Sequence, residues 1–362
     1  MENKDNLTCH DIVTVSSGNP YTSAAMFSAD VLGNLIALVL LEMGRRRQSP
    51  SFFHVLVTAL MITDLLGTFS VSPLVLASYT QNRTLVDMSK NRAVCVYFGF
   101  SMTFFSLATL AIVCTMALER YLSFGQPYFY ERHLTKRCGY IIIPLIYLVC
   151  VVFCLAPFMG FGDYVQYCPG TWCFFDMNPT ETKHKVYVGV YASLALIMIS
   201  TTVVSNLFVV YHLFIMYRRC NAHGGRVTRQ IRFYQKSLSM TEEVEHLLLL
   251  VFITVAFVIC SFPLVVRVYV NLIGRSKESH DADLAALRLL SFNSIIDPWV
   301  FIILTPSVLR FIWRKLTLCK AQRPPEAPTF SQEKALPVGP KLPPPSPLIE
   351  LQNDEVEGVN KT

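Results

Sequence analysis

The chain has 362 residues, of which 52% are hydrophobic and only 15% charged, with a formal net charge of +6. Soluble domains carry about 25% charged residues, so this composition argues against a water-soluble enzyme and points to a bilayer as the solvent. No cofactor and no nucleic-acid partner is expected.

In chain order, Met1–Pro20 is polar, with no apolar run before a small-residue cleavage site. No cleavable signal peptide is therefore expected, and the apolar run Ala24–Leu41 predicts a retained span. A spanning helix needs about 20 mostly apolar residues. Seven stretches qualify, at roughly 24–42, 52–78, 93–121, 138–159, 185–217, 243–273 and 282–305. No ten-residue segments alternate with period two, which disfavours a β-barrel. Helices satisfy their own backbone polar groups where lipid cannot. The prolines at 73, 144, 157, 263 and 298 predict kinks, not breaks.

The expected fold is an all-α membrane protein, a seven-transmembrane helix bundle with an amphipathic eighth helix. Its parts are an extracellular N-terminus (1–23), the bundle (24–305), an amphipathic membrane-surface helix (306–319) and a disordered Pro-rich cytoplasmic tail (320–362). Basic residues orient it. With the N-terminus outside, the cytoplasmic segments 43–51, 122–137, 218–242 and 306–323 hold 17 Lys/Arg and the extracellular ones 8, as the positive-inside rule requires. Sequons at Asn6 and Asn82 fall outside and are candidate glycosylation sites. Asn178 is followed by proline and does not qualify, and the Asn360 sequon lies in the tail.

Four of the 11 cysteines lie outside: Cys9, Cys95, Cys168 and Cys173. In an oxidising compartment they can form two disulfides by three connectivities. The other seven read as small buried apolar residues, except Cys319, which follows the basic amphipathic stretch and is a candidate for palmitoylation.

Ionisable residues within spans cost several kcal/mol, so each needs a reason. Glu119-Arg120-Tyr121 closes the third span at its cytoplasmic end. It reads either as snorkelling side chains or as a switch in which Arg120 leaves Glu119 when helices separate. Asp64 in the second span, Asn34 in the first, and Asn293 and Asp297 in the seventh are expected to form one buried polar cluster. Water or a cation would hold the carboxylates ionised, or one carboxyl would be protonated. Arg288 sits in the outer half of the seventh span, nine residues above Asp297. It cannot give up its proton, and its fork suits a carboxylate. Ser291 lies three residues on, on the same face. No acid other than Asp30 is offered to Arg288 from the outer halves of the helices, which favours an anionic ligand over an internal ion pair.

These positions match the motifs of rhodopsin-like receptors: Gly33-Asn34, Asp64, Glu119-Arg120-Tyr121 and Asp297-Pro298. The second extracellular loop is more specific. Its Pro-Gly-Thr-Trp-Cys-Phe (169–174), with Leu-Arg-Leu-Leu-Ser (287–291) and Asp-Pro-Trp-Val (297–300), resembles the prostanoid receptors, and the likeness spans about 25–318. The resemblance implies a G-protein-coupled receptor in the plasma membrane, for a lipid acid. Arg288, Thr171 and Tyr79 would hold the carboxylate, with Trp172 as lid. Ser28 and Ser291 would meet ring or chain oxygens, and Met26, Met102 and Phe105 would form apolar walls. It also implies the disulfides Cys95–Cys173 and Cys9–Cys168. The implied partners are a prostaglandin, membrane lipid, a heterotrimeric G protein of the stimulatory, cAMP-raising class, and arrestin.

Segments 53–58, 102–109, 117–123 and 292–300 resemble receptors for prostaglandin E2. Segment 157–162 and Arg267 resemble those for prostaglandin D2. Arg267 and Asp30 depart from the E2 pattern; as a second buried cation, Arg267 would either alter the pocket's preference or pair with Asp30. Pro263 and Pro298 would supply bend points, and Glu242, Glu243 and Glu245 could hold Arg120 at rest. Two other classes fit less well. A transporter or channel is disfavoured by seven spans without internal repeats, and a membrane metalloenzyme by the scattered His54, His212 and His246.

Overall fold

The computed structural model describes residues 9, 12–15, 18–45, 51–134, 136–222, 230–274 and 280–304. Asn6, Cys319, the expected surface helix and the tail lie outside these residues, as do the side chains of Glu242, Glu243 and Glu245.

Among the described residues the eight α-helices are α1 (Pro20–Arg45), α2 (Phe52–Gln81), α3 (Ala93–Gly125), α4 (Pro127–His133), α5 (Lys136–Cys154), α6 (Thr182–Ala222), α7 (Gln230–Ile273) and α8 (His280–Leu304). All but the seven-residue α4 are long and apolar enough to cross a membrane. The seven expected spans are all present. α2 starts where Ser51 Oγ accepts the His54 amide at 3.3 Å, and ends where Asn82 takes a left-handed conformation (φ 51°), a cap at each end. α3 stops at Gln126, and Pro127, at the first position of α4, starts a new helix there. The fourth span ends at Cys154, and Pro157 sits in a separate 3-10 turn, Ala156–Met159. Pro73, Pro144, Pro263 and Pro298 lie inside their helices.

α3 runs through the middle of the bundle, against α2, α5 and α6, while α1 closes the ring by packing on both α2 and α8. α3 is the most buried span and α5 the least, at 67% and 11% of the spanning window. Ile141, Leu145, Leu148 and Val152 of α5 face outward, as a lipid-facing helix requires.

The sequence reading did not anticipate two strands, β1 (Tyr164–Tyr167) and β2 (Trp172–Phe175), which pair antiparallel with Tyr167 opposite Trp172. The turn between them uses Gly170 at φ 98°; there a Cβ would also collide with the Thr84 side chain, so only glycine fits.

Candidate functional site

The outer half of the bundle encloses a cavity between α1, α2, α3 and α8, roofed by Trp172. Of the nine residues expected to bind the ligand, Met26, Met102, Phe105, Trp172 and Ser291 line it, and Arg288, Thr171, Tyr79 and Ser28 do not. Trp172 meets the buried Phe98 edge-on at 6.1 Å between ring centroids. These walls are mostly apolar, and the polar groups concentrate at the floor.

Ser28 is not brought to the cavity. It is exposed, and its hydroxyl donates to the Ala24 carbonyl at 2.8 Å. Ser23 lines the cavity instead, with Met26, Phe27 and Asp30. Spacings of three, four and seven residues put these four on one helix face, so Met26 alone pointed to Ser23 and away from Ser28.

Arg288 stands one turn of α8 above Ser291 and is exposed. Among the described residues it makes no hydrogen bond and no ion pair. Thr171 is fully buried in the hairpin turn, and its hydroxyl has no hydrogen-bond partner among the described residues. Tyr79, half-buried, packs against Gly18, where a Cβ would strike its ring.

The lid is held by covalent and polar stitches. Both disulfides form as the resemblance implied, Cys95–Cys173 tying β2 to the start of α3, and Cys9–Cys168 tying the N-terminal segment to the turn. Gln166 donates to the Cys9 and Ile12 carbonyls at 3.3 and 3.1 Å and accepts the Val86 amide at 3.0 Å. Thr84 donates its hydroxyl to Ile12 O at 2.7 Å and its amide to Val13 O at 3.1 Å. Thr84 also completes the Asn82 sequon, and Asn82 itself is exposed.

Two charged residues differ from expectation. Arg267 pairs with Asp283 of α8 at 2.8 Å, and Asn271 donates to the same carboxylate at 3.3 Å. Asp283 is therefore an outer-half acid that the sequence reading overlooked. Asp30 is bound elsewhere. It accepts from Asn34 Nδ2 (2.7 Å), Thr68 Oγ1 (2.6 Å) and Ser294 Oγ (2.7 Å), joining α1, α2 and α8.

Below the cavity, Asn34, Asp64, Asn293 and Asp297 are all buried, at 4% exposure or less. They do not bond to one another directly. Asp64 Oδ1 accepts from Thr109 at 2.9 Å, and Asn293 donates to Ser261 at 2.9 Å. Asp64 Oδ2, Asn34 Oδ1, Asn293 Oδ1 and both Asp297 carboxylate oxygens have no hydrogen-bond partner among the described residues. Buried unpaired acceptors are costly, so both readings of this cluster stand: a bound donor or cation, or a protonated carboxyl.

At the C-terminal end of α3, Arg120 donates twice to Glu119, at 2.5 and 2.7 Å. Tyr130 of α4 donates to the same carboxylate at 2.5 Å. The Arg120 guanidinium also lies 4.5 Å from the Phe53 ring centroid, within cation–π range. Burial, and then the Glu119 carboxylate, push the Tyr130 phenol well above its usual range, so it stays a donor. Tyr121 packs on Phe208 of α6, with centroids 4.7 Å apart. Arg120 is thus held by α2, α3 and, through Glu119, α4.

A seven-helix bundle with a roofed cavity at one end and a clamped arginine at the other fits a membrane receptor. The family model described as 7 transmembrane receptor (rhodopsin family) matches residues 33–301. The chain is 48% identical over 321 residues to the dog prostaglandin E2 receptor EP2 subtype, covering 84% of this chain and 87% of that protein. It is 46% identical to the human EP2 subtype (83% and 87% covered) and 41% to the human prostaglandin D2 receptor (85% and 92%). Squid rhodopsin shares the fold, with a TM-score of 0.68 at 16% identity over 89% of this chain and 99% of that one. The chain belongs to the rhodopsin family of seven-transmembrane receptors and, within it, to the prostaglandin receptors. It is accordingly a multi-pass protein of the plasma membrane.

Proposed function

We propose that this receptor binds prostaglandin E2 and signals through the stimulatory G protein to raise cAMP, with its N-terminus outside the cell and its C-terminus inside. The observation that carries this reading is Arg288, a permanent cation above a mostly apolar cavity, with no acid of the described residues to neutralise it. A twenty-carbon acid supplies what is missing: a carboxylate for the guanidinium and apolar arms for Met26, Met102 and Phe105. The Trp172 roof would exclude water and strengthen that ion pair. Thr171 and Tyr79 would add donors to the carboxylate, and Ser291 would meet a ligand oxygen.

Agonist binding would shift an existing equilibrium. α7 would pivot at Pro263 and α8 at Pro298, and Arg120 would leave Glu119 to open a cytoplasmic cavity for the G protein and later for arrestin. The buried acceptors around Asp64 and Asp297 would be rearranged in the same step. Glycosylation at Asn6 and Asn82 and palmitoylation at Cys319 belong to this same proposal.

A prostaglandin D2 preference is the second reading. It is favoured by Arg267, which adds a second cation at the outer end of the bundle, although Asp283 engages it. A cAMP assay in transfected cells with E2, D2 and vehicle tests both. The expected result is a response to E2 at lower concentration than to D2. The reverse order would leave a prostaglandin receptor of the other preference, and silence toward both would overturn the ligand class.

A further inference from the structure

Trp172, the roof of the cavity, stands at the turn end of a short hairpin that is held in three ways. The two disulfides fix its turn and the middle of β2. The third attachment is aromatic and lies at the far end of β2. Phe174 and Phe175 are fully buried there, and both rings meet Tyr191 of α6, with centroids 6.0 and 4.7 Å away. Both contacts are edge-to-face, a favoured geometry for aromatic pairs. Trp172 and Phe174 are two residues apart on one strand and so share a face.

Tyr191 is itself fixed on its other sides. It is 1% exposed, and its ring lies 6.4 Å from that of Phe153 in α5. Its hydroxyl is 3.2 Å from Ser106 Oγ of α3. Ser106 commits its own proton to the Thr103 carbonyl at 3.0 Å. A hydroxyl has one proton to give, so Tyr191 is the donor to Ser106. Ser106 lines the ligand cavity. One side chain therefore links the wall of the cavity to the base of its lid.

We propose that Tyr191 is a positioning residue for ligand retention: its ring sets the height of the Trp172 roof, and its hydroxyl holds that ring against the Ser106 wall. This rests on the reading that the cavity holds a prostaglandin. Tyr191 is not among the residues that line the cavity, and it acts through Phe174, Phe175 and Trp172. Without its ring the base of the hairpin loses its support, the roof shifts, and a bound ligand leaves sooner. Affinity then changes mainly through the dissociation rate, as is usual among variants of one binding site.

The test is the dissociation rate of tritiated prostaglandin E2, or D2 if the receptor prefers it, from the full-length receptor in cell membranes. Only receptors that have bound the label are counted, so a lower folded fraction cancels. Tyr191→Leu is expected to speed dissociation by about tenfold or more, the scale of losing two aromatic contacts. Tyr191→Phe keeps the ring and should stay within about threefold of wild type. A role confined to packing would act with or without the roof. The same replacement made in Trp172→Leu should therefore add less than about twofold. Where release is too fast to follow, the competition Kd of the same variants gives the same comparison. If Tyr191→Leu yields no receptor at the surface, Phe175→Leu breaks the same contact from the lid side and carries the same expectations.

Dissociation from Tyr191→Leu at the wild-type rate, or equal acceleration with and without Trp172, overturns the proposal. So does an effect of Tyr191→Phe as large as that of Tyr191→Leu, since the ring would then carry nothing. Loss of surface receptor in both Tyr191→Leu and Phe175→Leu overturns it too, because the contact would then serve the fold alone. A wild type that binds neither prostaglandin overturns the prostaglandin reading itself, and this role with it.

Discussion

Two arginines mark the two halves of the bundle, and they are treated in opposite ways. Arg120, at the inner end, is buried, doubly bonded to Glu119 and capped by the Phe53 ring. Arg288, at the outer end, is exposed and has no partner among the described residues. A guanidinium keeps its charge in either setting. The inner one is compensated by the chain, and in the proposed mechanism it acts on release from Glu119. The outer one is compensated by none of the described residues, and the proposed function supplies its counter-charge as the carboxylate of a ligand. Asp283 sharpens the contrast, because the acid nearest in sequence on α8 is committed to Arg267.

The largest expected effect that probes this contrast is loss of the lid. Cys95→Ser removes a link between residues 78 positions apart, about 4 kcal/mol by the chain-entropy account. Radioligand binding on intact cells should fall by more than about tenfold, and binding at the wild-type level would detach the hairpin from the site. Next comes Asp283→Ala, which leaves Arg267 without its carboxylate at a cost of about 3 kcal/mol. The purified receptor should melt at a lower temperature, and the double replacement Arg267→Met/Asp283→Leu should recover most of the loss. Failure of that recovery would show that the pair does more than neutralise itself.

The smallest effect concerns the inner arginine. Tyr130→Phe removes one hydrogen bond to Glu119, about 1 kcal/mol, and basal cAMP should rise by roughly fivefold or less.

The spans were legible because lipid imposes a length and an apolarity that sequence displays directly. The start of α7 was not. It begins at Gln230, not near 243, because helix in water leaves no hydropathy signal. The hairpin was missed for a related reason: its four-residue strands do not alternate, and β1 is buried throughout, although Pro169-Gly170 is a turn signal.

At the site, the residues that share a motif or a helix face were legible: Arg288 with Ser291, and Asn293 with Asp297. Partners across helices were not. Whether Arg267 meets Asp30 or Asp283 depends on how each helix is rotated in the bundle, and sequence spacing within one helix says nothing about that. Ser28 was a different failure. The face of α1 was recoverable from Met26 by counting three residues back to Ser23.

The central claim is that Arg288 receives a carboxylate. Its most direct test is the affinity of wild type and Arg288→Ala for a prostaglandin acid and for its methyl ester. The acid should lose about thirtyfold, near 2 kcal/mol for a charged hydrogen bond, while the ester changes by less than about threefold. Equal losses for acid and ester would contradict the claim.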